Sequence, residues 1–224
     1  MPQLSERLSA IATLIPKGDR VADIGTDHAY LPIHLRQEDI SPFVLACDIR
    51  TSPLGSAMKN VQQSGVDGID FRLCDGLDGI NCDEVDTVVL AGMGGQCIAG
   101  ILERCPWVKN SGKRFIMQPI NSPEELRKHL LDGYTFISER AVHDCDRVYT
   151  VIEAVALPSK KKYSEGFIYT GLLDPAVSAD RLFLEKQLRR LSCCAEELKS
   201  VEGEEERYRF YNSAAQSILK YIEV

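Results

Sequence analysis

The sequence predicts an α/β fold: a doubly wound, mainly parallel sheet whose last strand is antiparallel, followed by a C-terminal α-helical coiled-coil hairpin. Three observations carry this reading. Five short apolar runs alternate with helical stretches over residues 20–131, the rhythm of right-handed βαβ crossovers. Two further strand patterns then follow one another across a short polar segment, which reads as a hairpin. Beyond residue 158 the apolar residues adopt the alternating three-and-four spacing of a coiled-coil seam.

Taken in order, Leu4, Leu8, Ile11, Ala12 and Ile15 fall at helical spacing, and Pro16-Lys17-Gly18-Asp19 ends that helix. The five strands are Arg20–Ile24, Phe43–Cys47, Ile69–Leu73, Thr87–Ala91 and Arg114–Met117. Helices are expected near 30–37, 52–64, 77–82, 95–104 and 122–131. Tyr134–Arg140 and Arg147–Ala156 form the hairpin, joined by Ala141–Asp146. Leu157-Pro158-Ser159-Lys160-Lys161-Lys162 marks a boundary, and the expected domains are 1–158 and 159–224. In the second, Val177, Leu184, Leu188, Leu191, Ala195 and Leu198 form one seam, and Tyr208, Tyr211, Ala215, Ile218 and Ile222 the other. Glu202-Gly203-Glu204 separates them, giving an antiparallel pair packed on itself.

The 224 residues, 44% hydrophobic and 26% charged, suffice for one sizeable domain and a smaller one. No apolar run approaches the length that spans a bilayer. The first residues lack a basic-then-apolar signal segment, so a cytoplasmic location is expected, with no membrane partner. Eight cysteines at irregular spacing without a Cys-x-x-Cys pair read as reduced thiols, and no metal site is expected. The net charge of −7 argues against nucleic acid as a partner, yet residues 158–224 are neutral. Within 158–190, 7 basic residues face 4 acidic ones, leaving a local basic face.

The most informative stretch is Asp23-Ile24-Gly25-Thr26-Asp27-His28-Ala29-Tyr30-Leu31-Pro32. A strand, a tight turn and a helix start place backbone N–H groups at the sheet edge, where nucleotide-like ligands bind. Asp27 and His28 stand where dinucleotide-binding loops carry glycine. An acid there repels a pyrophosphate but suits a phosphate-free ligand with a positive centre, which S-adenosyl-L-methionine is. Gly25, Asp27 and His28 are therefore cofactor-binding candidates.

Asp48, with Ile49 beside it, ends the second strand, where a carboxylate matches a ribose diol; the alternative is a helix cap or a surface acid. Asp75 and Gly76 end the third strand, placed for an adenine amine and ring, or else for an ordinary Asp-Gly turn. Gly92, Met93, Gly94 and Gly95 form a bare-backbone loop after the fourth strand, against which a flat base can lie; a turn needs only one of these glycines. Gln118, Pro119 and Asn121 follow the fifth strand. The two amides suit an adenine edge, while Asn121 alternatively caps the helix at Pro123. Arg7 either clasps a cofactor carboxylate or pairs with a nearby acid. Lys160–Lys162, Arg181, Lys186, Arg189 and Arg190 either meet phosphates or form a solvated face. Gly-x-Ser-x-Gly, P-loop and His-Glu-x-x-His motifs are absent.

A doubly wound sheet ending in a hairpin is the arrangement of class I methyltransferases. The motifs Leu4–Arg7, Ile15-Pro16-Lys17-Gly18, Asp23–Pro32, Cys74–Leu77, Ala91–Gly95, Gln118–Asn121 with Leu126-Arg127, and Tyr149 go further. In this order they resemble the TrmK family, bacterial tRNA (adenine(22)-N1)-methyltransferases, over residues 4–156. The resemblance implies a Rossmann-like domain that binds S-adenosyl-L-methionine, a coiled-coil domain used with tRNA, and methylation of an adenine N1 in the D-arm region. It implies that Gly25, Asp27 and His28 hold the methionine part, Asp48 the ribose, and Asp75 with Gly76 the adenine. Asp48 departs from the Glu of the family pattern by one methylene. Asp27 is also the candidate to stabilise the cationic methylated base. A monomer or weak dimer is expected. The alternatives are a methyltransferase acting on another RNA or on a small molecule, a nucleotide-dependent oxidoreductase, and a non-catalytic RNA-binding protein.

Overall fold

The computed structural model describes residues 4–159, 161–164 and 166–223. Seven strands form one sheet in the order β3-β2-β1-β4-β5-β7-β6. They are β1 (Val21–Ile24), β2 (Val44–Asp48), β3 (Ile69–Leu73), β4 (Thr87–Met93), β5 (Arg114–Pro119), β6 (Thr135–Asp144) and β7 (Arg147–Val155). The first five are parallel, β7 runs antiparallel to β5, and β6 lies at the edge against β7. The antiparallel strand predicted from the hairpin is thus inserted beside β5.

The central strands are mostly apolar and buried because successive side chains serve opposite layers. Val21, Val44, Val89 and Ile116 pack with Ile11, Leu31 and Leu35, under α1 (Glu6–Ala12) and α2 (Tyr30–Gln37). Ala22, Leu45, Leu90 and Phe115 pack with Ile98, Leu102 and Leu126, under α4 (Gly95–Arg104) and α5 (Pro123–Leu130). Helix α3 (Thr51–Ser64) seats Ala57 and Val61 against Ala29 and Ile33. After β1 the chain moves outward to β2 and β3, then returns to place β4 on the other side of β1. That reversal opens a crevice at the carboxyl ends of β1 and β4.

Two local expectations change. The helix expected at 77–82 is a run of turns, because Gly76 and Gly79 take φ of +60° and +78°. Only Cys82–Glu84 forms a short 3₁₀ turn, capped by Asn81 and Glu84. The hairpin turn is also tighter than Ala141–Asp146. Asp144 pairs directly with Arg147, so the chain reverses through Cys145 and Asp146, with Cys145 at φ +53°.

After the sheet come the short α6 (Phe167–Thr170), then α7 (Ser178–Leu198) and α8 (Glu205–Ile222). Leu184, Leu191, Ala195, Ala215 and Ile218 of the predicted seams are buried. Val177 lies before α7 and is exposed. The seam is not closed on itself, since Ala141 and Val148 of the β6–β7 hairpin share its core.

A buried ion pair fastens this junction. Arg127 of α5 donates from Nη2 to Glu139 of β6 at 2.7 Å, both side chains essentially inaccessible. Arg127 Nη1 also donates to the Ile168 carbonyl, and Glu139 accepts from Thr150 and from the Leu172 N–H. A side chain at Gly171, where φ is +61°, would run into the Glu139 carboxylate. Removing one partner of such a pair strands a buried charge, at a cost of about 3–5 kcal/mol. Urea unfolding of Arg127→Ala is expected to show a loss of that size, and the paired change Arg127→Met with Glu139→Leu to recover most of it.

Candidate functional site at the carboxyl edge of the sheet

The loop after β1 is pinned to β2. The N–H groups of Gly25 and Thr26 both donate to the Cys47 carbonyl at 2.8 Å. Gly25 has φ +79°, and a Cβ there would meet Met93 Cε at 3.1 Å, so Met93 lays its thioether across the turn. Ala29, at φ +55°, then starts α2. The result is a cleft of about 540 Å³ lined by Arg7, Gly25, Asp27, His28 and Gly92 of the predicted set. Asp23, Thr26, Tyr30 and Arg50 line it too. A cleft of about 470 Å³ between α4 and α5 contains none of the predicted residues.

Asp27 stands exposed at the lip, 3.4 Å from His28 Nε2, and His28 stacks on Tyr30 with centroids 5.2 Å apart. Asp48 is buried at the end of β2. Its Oδ1 accepts the Arg50 N–H at 2.7 Å, so it holds the loop into α3. The Arg50 guanidinium stands 3.6 Å from Oδ1, Oδ2 carries no hydrogen bond among the described residues, and Asp48 itself is not among the residues lining the cleft. Ile49 is exposed beside it.

Other predicted residues are placed differently. Asp75 is half-exposed and engaged by Arg104 of α4 at 3.0 Å, away from the cleft. Gly76 is required by packing, since a Cβ there would lie 2.7 Å from Ile101. Gln118, expected to meet a base, is completely buried. Its Oε1 accepts from Arg7 Nη1 at 2.6 Å and from the Gly92 N–H at 3.1 Å, while Nε2 donates to the Pro119 carbonyl. Pro119 is buried as well and pairs with Met93. Arg7 lines the cleft, but its guanidinium is held by Gln118, by Asp144 at 3.5 Å and over the Tyr149 ring at 5.8 Å.

The surplus glycines also have a packing cause. Gly92 takes φ +77°. Gly94 and Gly95 let this loop cross the β5–α5 loop, where a Cβ at Gly94 would meet Asn121 Oδ1 at 2.9 Å and one at Gly95 would strike the Ser122 carbonyl. Asn121 does not cap α5; the cap position is Ser122, and the Asn121 amide is exposed. Of the basic residues, Arg181 pairs with Glu185 and Arg190 with Glu124. Lys186 and Arg189 have no ion pair among the described residues, and Lys160 lies outside them.

The residue missed from the sequence is Asp23. It sits on the cleft floor, 8% exposed, and burial raises its pKa to about 6, with the charge of Asp48 adding to the rise. The Thr26 hydroxyl opposes the rise from nearby, yet Oγ1 is itself buried without a hydrogen-bond partner. The signal available was an acid inside an apolar strand, Val21-Ala22-Asp23-Ile24. A buried carboxylate and an unpartnered hydroxyl on one cleft floor suit a ligand that is cationic and donates hydrogen bonds.

A family model described as a methyltransferase domain matches residues 4–152. The tRNA (adenine(22)-N(1))-methyltransferase of Bacillus subtilis is 34% identical over 84% of this chain and 82% of its own. The chain belongs to the tRNA (adenine(22)-N(1))-methyltransferase family. Among solved structures, M. capricolum TrmK in complex with S-adenosyl-homocysteine matches with TM-score 0.85 and 29% identity, over 99% of both chains. A Streptococcus pneumoniae protein in complex with S-adenosyl-L-methionine matches with TM-score 0.85 and 29% identity, over 98% of this chain and 100% of its own. The likeness therefore extends through the C-terminal helices.

Asp23 also governs a pH dependence. Its folded pKa of about 6 lies above the ordinary 3.8, so between those values the folded state holds the proton more tightly than the unfolded one. Stability then falls as pH rises through this window, and the full penalty stands above pH 6, roughly 2–3 kcal/mol. Asp23→Asn is expected to raise Tm at pH 7.5 and to change it little at pH 4, which thermal melts across that range would check.

Proposed function

We propose that the protein transfers a methyl group from S-adenosyl-L-methionine to N1 of adenine 22 in tRNA. One observation carries this most strongly: the acid-floored cleft sits at the topological switch point of a chain that matches cofactor-bound relatives over nearly its whole length. The expected work is divided between residues 1–158, which hold the cofactor, and 159–224, which contact tRNA. A cytoplasmic location follows from that substrate. Among the described residues no helix is long and apolar enough to cross a membrane.

Bound in the cleft, the cofactor supplies an electrophilic methyl on a cationic sulfonium. Asp23 and Asp27 place negative charge around that cation. Asp48, next to the cleft-lining Arg50 loop, would hold the ribose, and exposed Ile49 would offer an apolar face for the adenine ring. Gly25 and Gly92, without side chains, allow close approach of the cofactor to the backbone. Adenine N1 carries an in-plane lone pair, so no general base is needed to create the nucleophile. Catalysis is then mainly positioning, which contributes on the order of 7–11 kcal/mol when reacting atoms are held in line. N1 lies on the Watson–Crick edge, so the base must leave its pair, at about a few kcal/mol. Asn121, exposed beside Gly94, is placed to receive it. Asp27 then balances the positive charge on the methylated ring.

Labelled methyl is expected in tRNA carrying adenine 22 and not in tRNA carrying guanine there. Transfer to another nucleotide, or none, would overturn the reading. Asp27→Ala is expected to lower kcat by about ten-fold or more. A change confined to cofactor affinity would reduce Asp27 to a binding residue.

A further inference from the structure

A further cavity, of about 240 Å³, lies on the other side of the Arg7–Tyr149 contact. It shares no lining residue with the cofactor cleft. Its apolar surfaces come from three separate parts of the fold. Pro119 and Pro123 flank the β5–α5 loop, Tyr149 comes from β7, and Phe183 comes from α7. The polar residues lining it are Asn121, Ser122, Lys186, Gln187 and Arg190.

This is the chemistry of a nucleobase subsite. Flat apolar walls accept a base by its faces, and stacking on an aromatic ring is tolerant of sequence. Tyr149 already carries the Arg7 guanidinium at 5.8 Å while its ring lines the cavity. Arg190 Nε donates to Gln187 Oε1 at 3.0 Å, which leaves the Gln187 NH₂ as a donor without an acceptor among the described residues. Arg190 is itself neutralised by Glu124 at 2.7 Å. Lys186 has no such partner among the described residues, so it is the cation at this rim available to a phosphate.

We propose that this cavity takes the nucleotide adjoining the methylated adenine, its base stacked on Tyr149 and its phosphate at Lys186. The proposal rests on the RNA-methylating function above. The adjoining nucleotide, rather than the target itself, is assigned because the Arg7–Tyr149 contact stands between this cavity and the cleft that holds the methyl donor. Asn121 lies on the rim facing Gly94, so a strand that delivers the target there continues into the cavity. Helix α7 thereby acts next to the reacting base, and not only as a distant grip on the RNA.

The test uses the full chain and a tRNA with 2-aminopurine at the nucleotide on either side of adenine 22. Binding is expected to quench the fluorescence at one flanking position. The quench should be lost in Tyr149→Ala and restored in Tyr149→Phe. Lys186→Ala is expected to weaken tRNA binding by about three- to ten-fold with the cofactor Kd unchanged. No quench at either flank, a quench indifferent to Tyr149→Ala, or a quench only when the probe replaces adenine 22 would overturn the proposal. Formation of N1-methyladenosine by the same preparation separates the two readings. If it forms normally without flanking stacking, only the subsite fails; if tRNA is neither bound nor methylated, both fail.

Discussion

One buried amide sets the geometry on which both cavities depend. Gln118 sits near the end of β5 with no solvent contact, and both Oε1 and Nε2 are hydrogen-bonded. Through Oε1 it holds the Gly92 N–H near the end of β4 and Arg7 of α1. Through Arg7 it reaches Asp144 and Tyr149 of the β-hairpin. Elements up to 111 residues apart are joined at one oxygen. Vacating this buried acceptor is costly, because the Arg7 guanidinium and the Gly92 N–H both lose the partner that positions them at the cleft wall. The cleft wall and the cavity wall are in this sense one structure.

The second constraint is the Arg127–Glu139 pair, which does for the C-terminal helices what Gln118 does for the cleft. It ties α5 and β6 to the carbonyls of Ile168 and Tyr169, the segment that leads into α7. Asp180 adds to the attachment by accepting the Ala141 N–H at 2.6 Å. The helical pair is therefore fixed to the hairpin, and α7 is held where Lys186 and Gln187 can reach the loop after β5. A freely swinging helical arm would not keep a cavity shared by three elements.

The strands were legible because apolar runs such as Val44-Leu45-Ala46-Cys47 have no other reading between turn residues. The cleft loop was legible because Asp27 and His28 break a known glycine pattern. What stayed hidden depends on contacts between distant segments. Gln118 reads the same whether its amide is buried or faces a ligand. Gly94 and Gly95 read as a bare platform, whereas they permit one loop to cross another at Asn121 and Ser122. Asp75 reads as a free acid at a strand end until α4 brings Arg104 to it. The helix expected at 77–82 failed for a local reason, since two left-handed glycines outweigh the apolar spacing of Leu77 and Ile80.

The dependence of both cavities on Gln118 is open to one direct measurement. Gln118→Leu roughly keeps the side-chain size but removes the one acceptor shared by the Arg7 guanidinium and the Gly92 N–H. In folded variant protein, calorimetric titration should show S-adenosyl-L-methionine and tRNA both binding about five-fold or more weakly. Wild-type affinity for both ligands, with an unchanged Tm, would contradict the account.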